Sequence, residues 1–193
     1  MNHDKLISFL TGSGLVSHLS AKTIAGNFTQ RRLAKNSFLL KEGNYSNEYF
    51  FIETGFIRAF ALNTEGDEIT TGFYAEGQVV FEVSSFFNRI VSKENIQALT
   101  DCTGCSISYL QLNSLFHAMP EFREFGRSIL VKGFSGLKNR MLSMITDTAE
   151  ERYTWLLHNN PEIFKHAALK HIASYLGITD SSLSRIRKEF SKK

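Results

Sequence analysis

The sequence predicts an α+β fold in three parts: an N-terminal double-stranded β-helix or jelly-roll, a long central helix, and a C-terminal helix-turn-helix. Three observations carry that expectation. Residues 37–110 hold short β-rich runs punctuated by glycines. Residues 120–146 repeat apolar side chains at steps of three and four. Leu169–Lys188 reads as two short helices meeting at a glycine. The expected boundaries are 1–119 for the barrel unit, 120–146 for the central helix and 147–193 for the helix-turn-helix unit.

Residues 1–36 read as a helical lead-in. Leu6, Ile7, Phe9 and Leu10 form a short apolar face, and Gly12-Ser13-Gly14 interrupts it. Arg31, Arg32 and Lys35 read as a solvated connector. Strand character then appears at Phe38–Leu40, Tyr49–Ile52, Phe56–Leu62, Ile69–Phe73, Val79–Phe81, Ile96–Leu99 and Cys105–Leu110, separated by Gly43, Gly55, Gly66, Gly77 and Gly104. Many short strands with glycine turns argue for an antiparallel barrel or sandwich. Glu82–Phe87 is a short helical insertion.

The period becomes helical again from Asn113. Pro120 suits a helix N-terminus, and Phe122, Phe125, Ile129, Gly133, Leu137, Met141 and Met144 or Ile145 follow as one stripe. A helix of that length outruns the barrel, so its stripe calls for a second copy, and Gly126, Gly133 and Gly136 would admit a close backbone. Asp147-Thr148 ends it. Glu150–His158 is a further helix, with Tyr153, Trp155, Leu156 and Leu157 as its core face, and residues 162–168 form a connector.

In the last unit Leu169, Ile172, Ala173 and Leu176 share one apolar face. Gly177 supplies the left-handed turn, and Thr179 is a good N-cap for the second helix. Leu183, Ile186 and Phe190 face inward, while Ser181, Ser184, Arg185 and Lys188 face outward. Lys170 and His171 are expected on the surface of the first helix. Such a unit would lay its second helix in the major groove of double-stranded DNA. Charge agrees: residues 165–193 hold seven Lys or Arg against Asp180 and Glu189, a net +5, whereas the preceding 164 residues sum to −2. A basic end on a mildly acidic body points the C-terminal part at a polyanion.

Other function classes fare poorly. No apolar run is long enough to cross a bilayer, and the first residues lack the pattern of a signal peptide, so a cytoplasmic protein without a membrane partner is expected. Cys102 and Cys105 form a lone CxxC with no second ligand pair, which leaves no metal site, and two thiols cannot hold a four-thiolate iron–sulfur cluster within one chain. A strand, turn and strand are expected around that pair, across Gln97–Leu110. The six histidines (3, 18, 117, 158, 166 and 171) all lie outside the strand region, which argues against an enzyme with a metal inside the barrel. No catalytic residue is expected. The rival reading is a cyclic-nucleotide or metabolite binding module whose C-terminal helices mediate protein contacts.

The order of parts, with LLKEGNYSNEYFFIETGFIRAF at 39–60, ISYLQL at 107–112 and HIASYLGITDSSLSRIRK at 171–188, resembles the Crp/Fnr family of transcription regulators. Within that family the chain looks most like the short regulators of Bacteroidetes-type bacteria. The resemblance covers nearly the whole chain. It implies an effector-sensing β-roll like a cyclic nucleotide-binding domain, a dimerisation helix, and a winged helix-turn-helix. It implies a homodimer acting on DNA, with RNA polymerase as a further partner.

In the family's cyclic AMP binders a Gly-Glu pair holds the ribose and an Arg-Ser pair holds the phosphate. Here Glu82 matches the ribose position, Phe81 replaces the small Gly, and Ser92-Lys93 stand where Arg-Ser is expected. Lysine lacks arginine's bidentate fork, so cyclic AMP binding in the usual way is not expected; another small-molecule effector remains open, with no other cofactor indicated. Residues 1–36 contain no Cys, so the cysteine-rich segment of the oxygen-sensing iron–sulfur relatives has no counterpart here. The three base-reading positions fall on Asp180, Ser181 and Arg185. Arg185 keeps the family type and the other two depart from it, so the operator should differ. Thr179, Ser182, Ser184, Arg187 and Lys188, with Lys170, are placed for phosphates or base edges.

Overall fold

The structure, a computed structural model, describes residues 3–190. Lys192 and Lys193, two of the seven basic residues of the tail, lie outside them. The chain opens with α1 (Asp4–Thr11), α2 (His18–Ala25) and β1 (Thr29–Leu33). It continues through β2 (Phe38–Leu40), β3 (Glu48–Thr54), β4 (Ile57–Leu62), β5 (Glu68–Tyr74), β6 (Val79–Val80), α3 (Val83–Asn88), β7 (Asn95–Ala98) and β8 (Cys102–Ser108). The strands form two antiparallel four-stranded sheets, ordered β1-β8-β3-β6 and β2-β7-β4-β5.

Between the sheets lies one apolar cluster, with Phe50, Ile52, Ile57, Val80 and Ile96. A second cluster forms on the outer face of the first sheet, where Phe51, Tyr49, Cys105 and Ile107 meet Leu6, Leu10, Ile24, Phe122 and Phe125 from the helices. Side chains alternate across a strand, so Phe50 and Phe51 serve different clusters. That is why Tyr49–Ile52 is a continuous apolar run: both faces of β3 are covered. Each buried aromatic there contributes roughly 1.5–3 kcal/mol on leaving water.

Several expectations change. Arg31 and Arg32 are not in a connector. They sit in β1, paired with β8, and Arg31 reaches Glu48 at 3.0 Å. A five-residue strand with two arginines has little apolar signal, and only its neighbour reveals it. Tyr109 and Leu110 do not extend a strand; they begin α4 (Tyr109–Ala118), started by a capping box in which Ser108 and Gln111 serve each other's backbone. The turn before β8 falls at residues 99–101, so Cys102 and Cys105 both sit inside that strand. At odd spacing they point to opposite faces, Cys102 into the inter-sheet cluster and Cys105 into the helix-facing one. They cannot meet each other or share a ligand. Burial raises both thiols, Cys105 to about 12 with Glu53 adding to the effect.

The central helix is α5 (Pro120–Thr146), 27 residues or about 40 Å. Its first turns are buried, and the Gly126 Cα faces the Phe116 ring closely enough that a Cβ would overlap it. Its later turns are not covered: Val131, Phe134, Leu137, Met141 and Ile145 are exposed, Phe134 at 69%. Gly133 and Gly136 look onto open space.

Four helices follow: α6 (Ala149–Asn159), α7 (Glu162–His166), α8 (Leu169–Leu176) and α9 (Asp180–Phe190). The connector expected at 162–168 therefore holds α7, a single turn started after Pro161. Tyr153, Leu156, Ile163, Ile172, Ala173, Leu176, Leu183 and Ile186 form the third core, joined by Phe56 from the start of the β4 hairpin. Trp155, expected in that core, is 61% exposed, and Leu169 is exposed as well. Both lie just off the buried arc of their helices, where a single-sequence period cannot place a boundary residue. The described residues stop in α9, and no strand of the wing that the resemblance implies is found among them.

Candidate nucleic-acid interface

The turn between α8 and α9 is built as the sequence demands. Gly177 adopts φ +66°, its N–H donates to Ser174, and Ile178 N–H donates to the Ala173 carbonyl at 3.0 Å. That is the geometry by which a helix end closes its orphan carbonyls. The thioether of Met144, from α5, lies against Gly177 where any side chain would collide with it. Arg152 adds a further closure, donating to the Leu176 carbonyl at 3.1 Å and the Asp147 carbonyl at 2.6 Å. The end of the central helix, α6 and the turn are thus tied together.

Thr179 caps α9: its Oγ1 accepts from Ser182 N at 3.2 Å, and it also contacts Ser181 and Ser182 hydroxyls at 3.0 Å. Leu183 and Ile186 are buried. Asp180, Ser181, Ser184, Arg185, Arg187 and Lys188 are exposed, and Ser182 is half-buried. Arg185 has no hydrogen-bond or ion-pair partner among the described residues. Asp180 occupies the first turn, where the helix dipole favours a carboxylate.

Helix α8 has a different surface. Lys170 is exposed, but His171 is not: its side chain is only 15% exposed and packs on the β-roll, correcting the expectation of a surface histidine. Its Nε2 is 3.5 Å from Arg58 Nη1, and its Nδ1 is 4.0 Å from Glu68 Oε2. Burial and then the Arg58 and Lys170 charges lower its pKa to about 4. A neutral ring protonated at Nδ1 fits both contacts, accepting from the guanidinium and turning its N–H to the carboxylate.

The β-roll candidates are placed as follows. Glu82 caps α3, with its two oxygens accepting from Ser84 N at 3.0 Å and Ser85 N at 2.6 Å. Ser92 is buried and its hydroxyl serves Glu94, donating to the Glu94 carbonyl at 2.9 Å and accepting from its N–H at 3.0 Å. Lys93 is exposed. Glu82 and Ser92 are thus engaged by backbone groups of their own turns. Close to them the structure gathers a group that sequence reasoning missed. Burial raises the Glu94 carboxyl, the nearby Thr71 hydroxyl eases it, and Glu82 and Arg140 act on it by their charges. Tyr74 beside it is raised to about 12, by burial first and then by Glu94.

The comparisons bear on what this arrangement is. Residues 30–118 match the model of the cyclic nucleotide-binding domain. The chain is 27% identical over 180 residues to the fumarate and nitrate reduction regulatory protein of Yersinia pestis, covering 86% of this chain and 71% of the relative. The Escherichia coli K12 protein of the same name is 26% identical over 182 residues, with the same coverage. FixK2 from Bradyrhizobium japonicum superposes with a TM-score of 0.75 at 18% identity, over 86% of this chain and 85% of its own. A transcriptional regulator of the Crp/Fnr family from Eubacterium rectale gives 0.72 at 15% identity, over 95% and 88%.

The matched domain, the relatives and the shared fold together support a Crp/Fnr family regulator. The chain is a transcription regulator with a cyclic nucleotide-binding-like domain, and the homologues it matches are regulators rather than enzymes. Regulators of this family bind DNA and act as dimers. No helix among the described residues of this regulator is long and apolar enough to cross a membrane. One buried residue that sequence reasoning missed carried a signal: Arg58 interrupts the apolar strand Ile57–Leu62. Arg140, two residues after Lys138 on α5, carried none. A lone cation in an apolar run usually has a buried partner.

Proposed function

We propose that this regulator is a homodimer that binds operator DNA through α9, one copy of the helix in the major groove of each half-site. The observation that carries the reading is the division of α9: Leu183 and Ile186 are locked in the core while Ser184, Arg185, Arg187 and Lys188 are exposed together. Arg185 reads a guanine, and Asp180 and Ser181 flank it at the base edges. Thr179, Ser182, Ser184, Arg187, Lys188 and Lys170 serve the backbone or neighbouring bases. The uncovered apolar stretch of α5 from Val131 to Ile145 is the dimer seam. On this reading the chain divides into an effector-sensing unit (1–119), a dimerisation helix (120–146) and a DNA-binding unit (147–193). It works in the cytoplasm and meets RNA polymerase at its promoters.

The β-roll does not take cyclic AMP in the usual way. Glu82 is committed to a helix cap, and Ser92 to its own turn. The half-buried carboxylate of Glu94 stands nearby, where a second anion would be repelled. An effector of other chemistry, acting near Tyr74 and Glu94, shifts the central helices and with them the spacing of the two recognition helices, which needs to be about 34 Å.

The decisive experiment selects duplexes from a random pool with the purified protein and measures affinity against salt. A log–log slope of several units and a two-fold symmetric site are expected. Binding indifferent to salt, or unchanged in Arg185→Ala and Lys188→Ala, would sink the reading. For the seam, Phe134→Lys with Leu137→Lys should halve the mass in sedimentation.

A further inference from the structure

We infer that the edge of strand β5 and helix α8 form a latch by which the β-roll sets the direction of the recognition helix, with the Arg58–Glu68 pair as its release point. The consequence for DNA rests on the function proposed above; the geometry of the latch does not.

β5 is an edge strand, paired with β4 on one side only. Unpaired edge groups need a cover, and here helices supply it. Ser174 of α8 accepts from Thr70 N at 2.8 Å and donates to the Glu68 carbonyl at 3.2 Å, so one hydroxyl stands in for a neighbouring strand. Arg140 of α5 donates to the Thr71 carbonyl at 2.7 Å, the Thr70 carbonyl at 3.4 Å and the Tyr175 carbonyl at 3.1 Å, and stacks 4.0 Å over the Tyr175 ring. A single guanidinium therefore joins the central helix, the sheet edge and the first helix of the DNA-binding unit.

Beneath them lies Arg58, with 0% of its surface exposed. It donates to Thr70 Oγ1 at 2.9 Å and to Glu68 Oε2 at 2.6 Å and sits 4.4 Å under the Phe60 ring, while its Nη2 has no partner. Glu68 is 43% exposed and His171 closes the far side. A buried cation with an incomplete set of partners does little for stability. Apolar residues in place of such a pair are often as stable or more so, whereas removing one partner leaves a charge stranded. The pair couples docking to Glu68: both of its members belong to the β-roll, and α8 closes over them through His171, 3.5 Å from Arg58 and 4.0 Å from Glu68.

The same strand touches the proposed sensing region. Thr71 and Tyr74 both lie close to the Glu94 carboxyl. A change of charge or occupancy at Glu94 therefore acts on the strand whose edge holds α8. With α8 latched, α9 is held in one direction with its polar face outward; unlatched, it hangs from the end of α5 and binding must order it at a cost.

The test is amide hydrogen exchange on the intact dimer, with affinity for the duplex selected by the wild-type protein measured in parallel. Glu68→Gln should speed exchange in Ile172–Leu176 about tenfold or more, leave β3 and β8 unchanged, and weaken DNA binding by a similar factor. Arg58→Met combined with Glu68→Gln should return α8 exchange to the wild-type rate or below and restore affinity. If Glu68→Gln leaves α8 unchanged, or speeds β3 and β8 equally, or the double variant is looser than the single, the latch is wrong. A wild-type protein that does not bind the duplex would overturn the function proposed above, while the exchange data would still judge the latch.

Discussion

Helices α8 and α9 are neighbours of similar length and amphipathicity, and they use their polar residues in opposite ways. On α8, His171, Ser174 and the Tyr175 carbonyl are all engaged by the β-roll or the central helix. On α9, Ser184, Arg185 and Arg187 face solvent. The difference is one of neighbours. α8 lies between an unfinished sheet edge and the core, whereas Ser184, Arg185 and Arg187 of α9 are exposed and Arg185 has no hydrogen-bond or ion-pair partner among the described residues. Polar residues of one helix are consumed by folding, and on the proposed function those of the next are left for a ligand. The first kind controls where the second kind points.

The contrast can be broken most strongly at its shared core. Ile172 is fully buried on the inner face of α8, and Ile172→Ala should cost about 2–5 kcal/mol by loss of contact and cavity formation. Urea unfolding should show it, with the C-terminal helices losing structure before the β-roll. Next comes the face of α9. Arg185→Ala should cost about 1–3 kcal/mol of discrimination at one base pair, read by competition between single-base operator variants. Lys188→Ala should instead weaken all sequences alike and lower the salt slope by about 1.

The third prediction separates the helices by pH. His171 faces Arg58 on β4, Glu68 on β5, Lys170 beside it and Asp180 on α9, and in the docked state its pKa is lowered to about 4. Undocked, it would titrate near its ordinary value of about 6.5. The loosened state therefore binds the extra proton. Docking is fully supported above about pH 6.5 and weakens as pH falls toward 4, by about tenfold at pH 5.5. Exchange in α8 should follow that curve, and His171→Leu should flatten it; a pH-independent α8 in the wild type would contradict the burial of the ring. The smallest effect is at the cap. Thr179→Ala should cost about 1 kcal/mol and fray the first turn of α9 without altering exchange in α8.

Much of this was legible in the residues. The glycine at 177, the cap at 179 and the spacing of Ile172, Ala173, Leu176, Leu183 and Ile186 specify the helix pair locally, because turn chemistry and helical period act over a few residues. The long α5 and its uncovered stripe follow from the same period. The β-roll candidates were less readable. Glu82, Ser92 and Lys93 were matched by position along the chain, but capping and turn bonds made by Glu82 and Ser92 depend on where their own backbone bends. β1 was hidden because its pairing with β8 is non-local, and Trp155 and Leu169 because a period cannot say where the buried arc ends.

By itself, then, the sequence determined the class of fold, the helix pair α8 and α9, and the polar face that α9 presents, since each rests on local propensity and patterning. Only the tertiary structure decided that Cys102 and Cys105 face apart, that His171 is buried, and that Arg58, Glu68, Ser174 and Arg140 converge on the edge of β5. Those contacts join residues up to 113 positions apart, and no local rule of spacing reaches across that distance; they exist because an edge strand and a buried charge must find partners wherever the fold brings them.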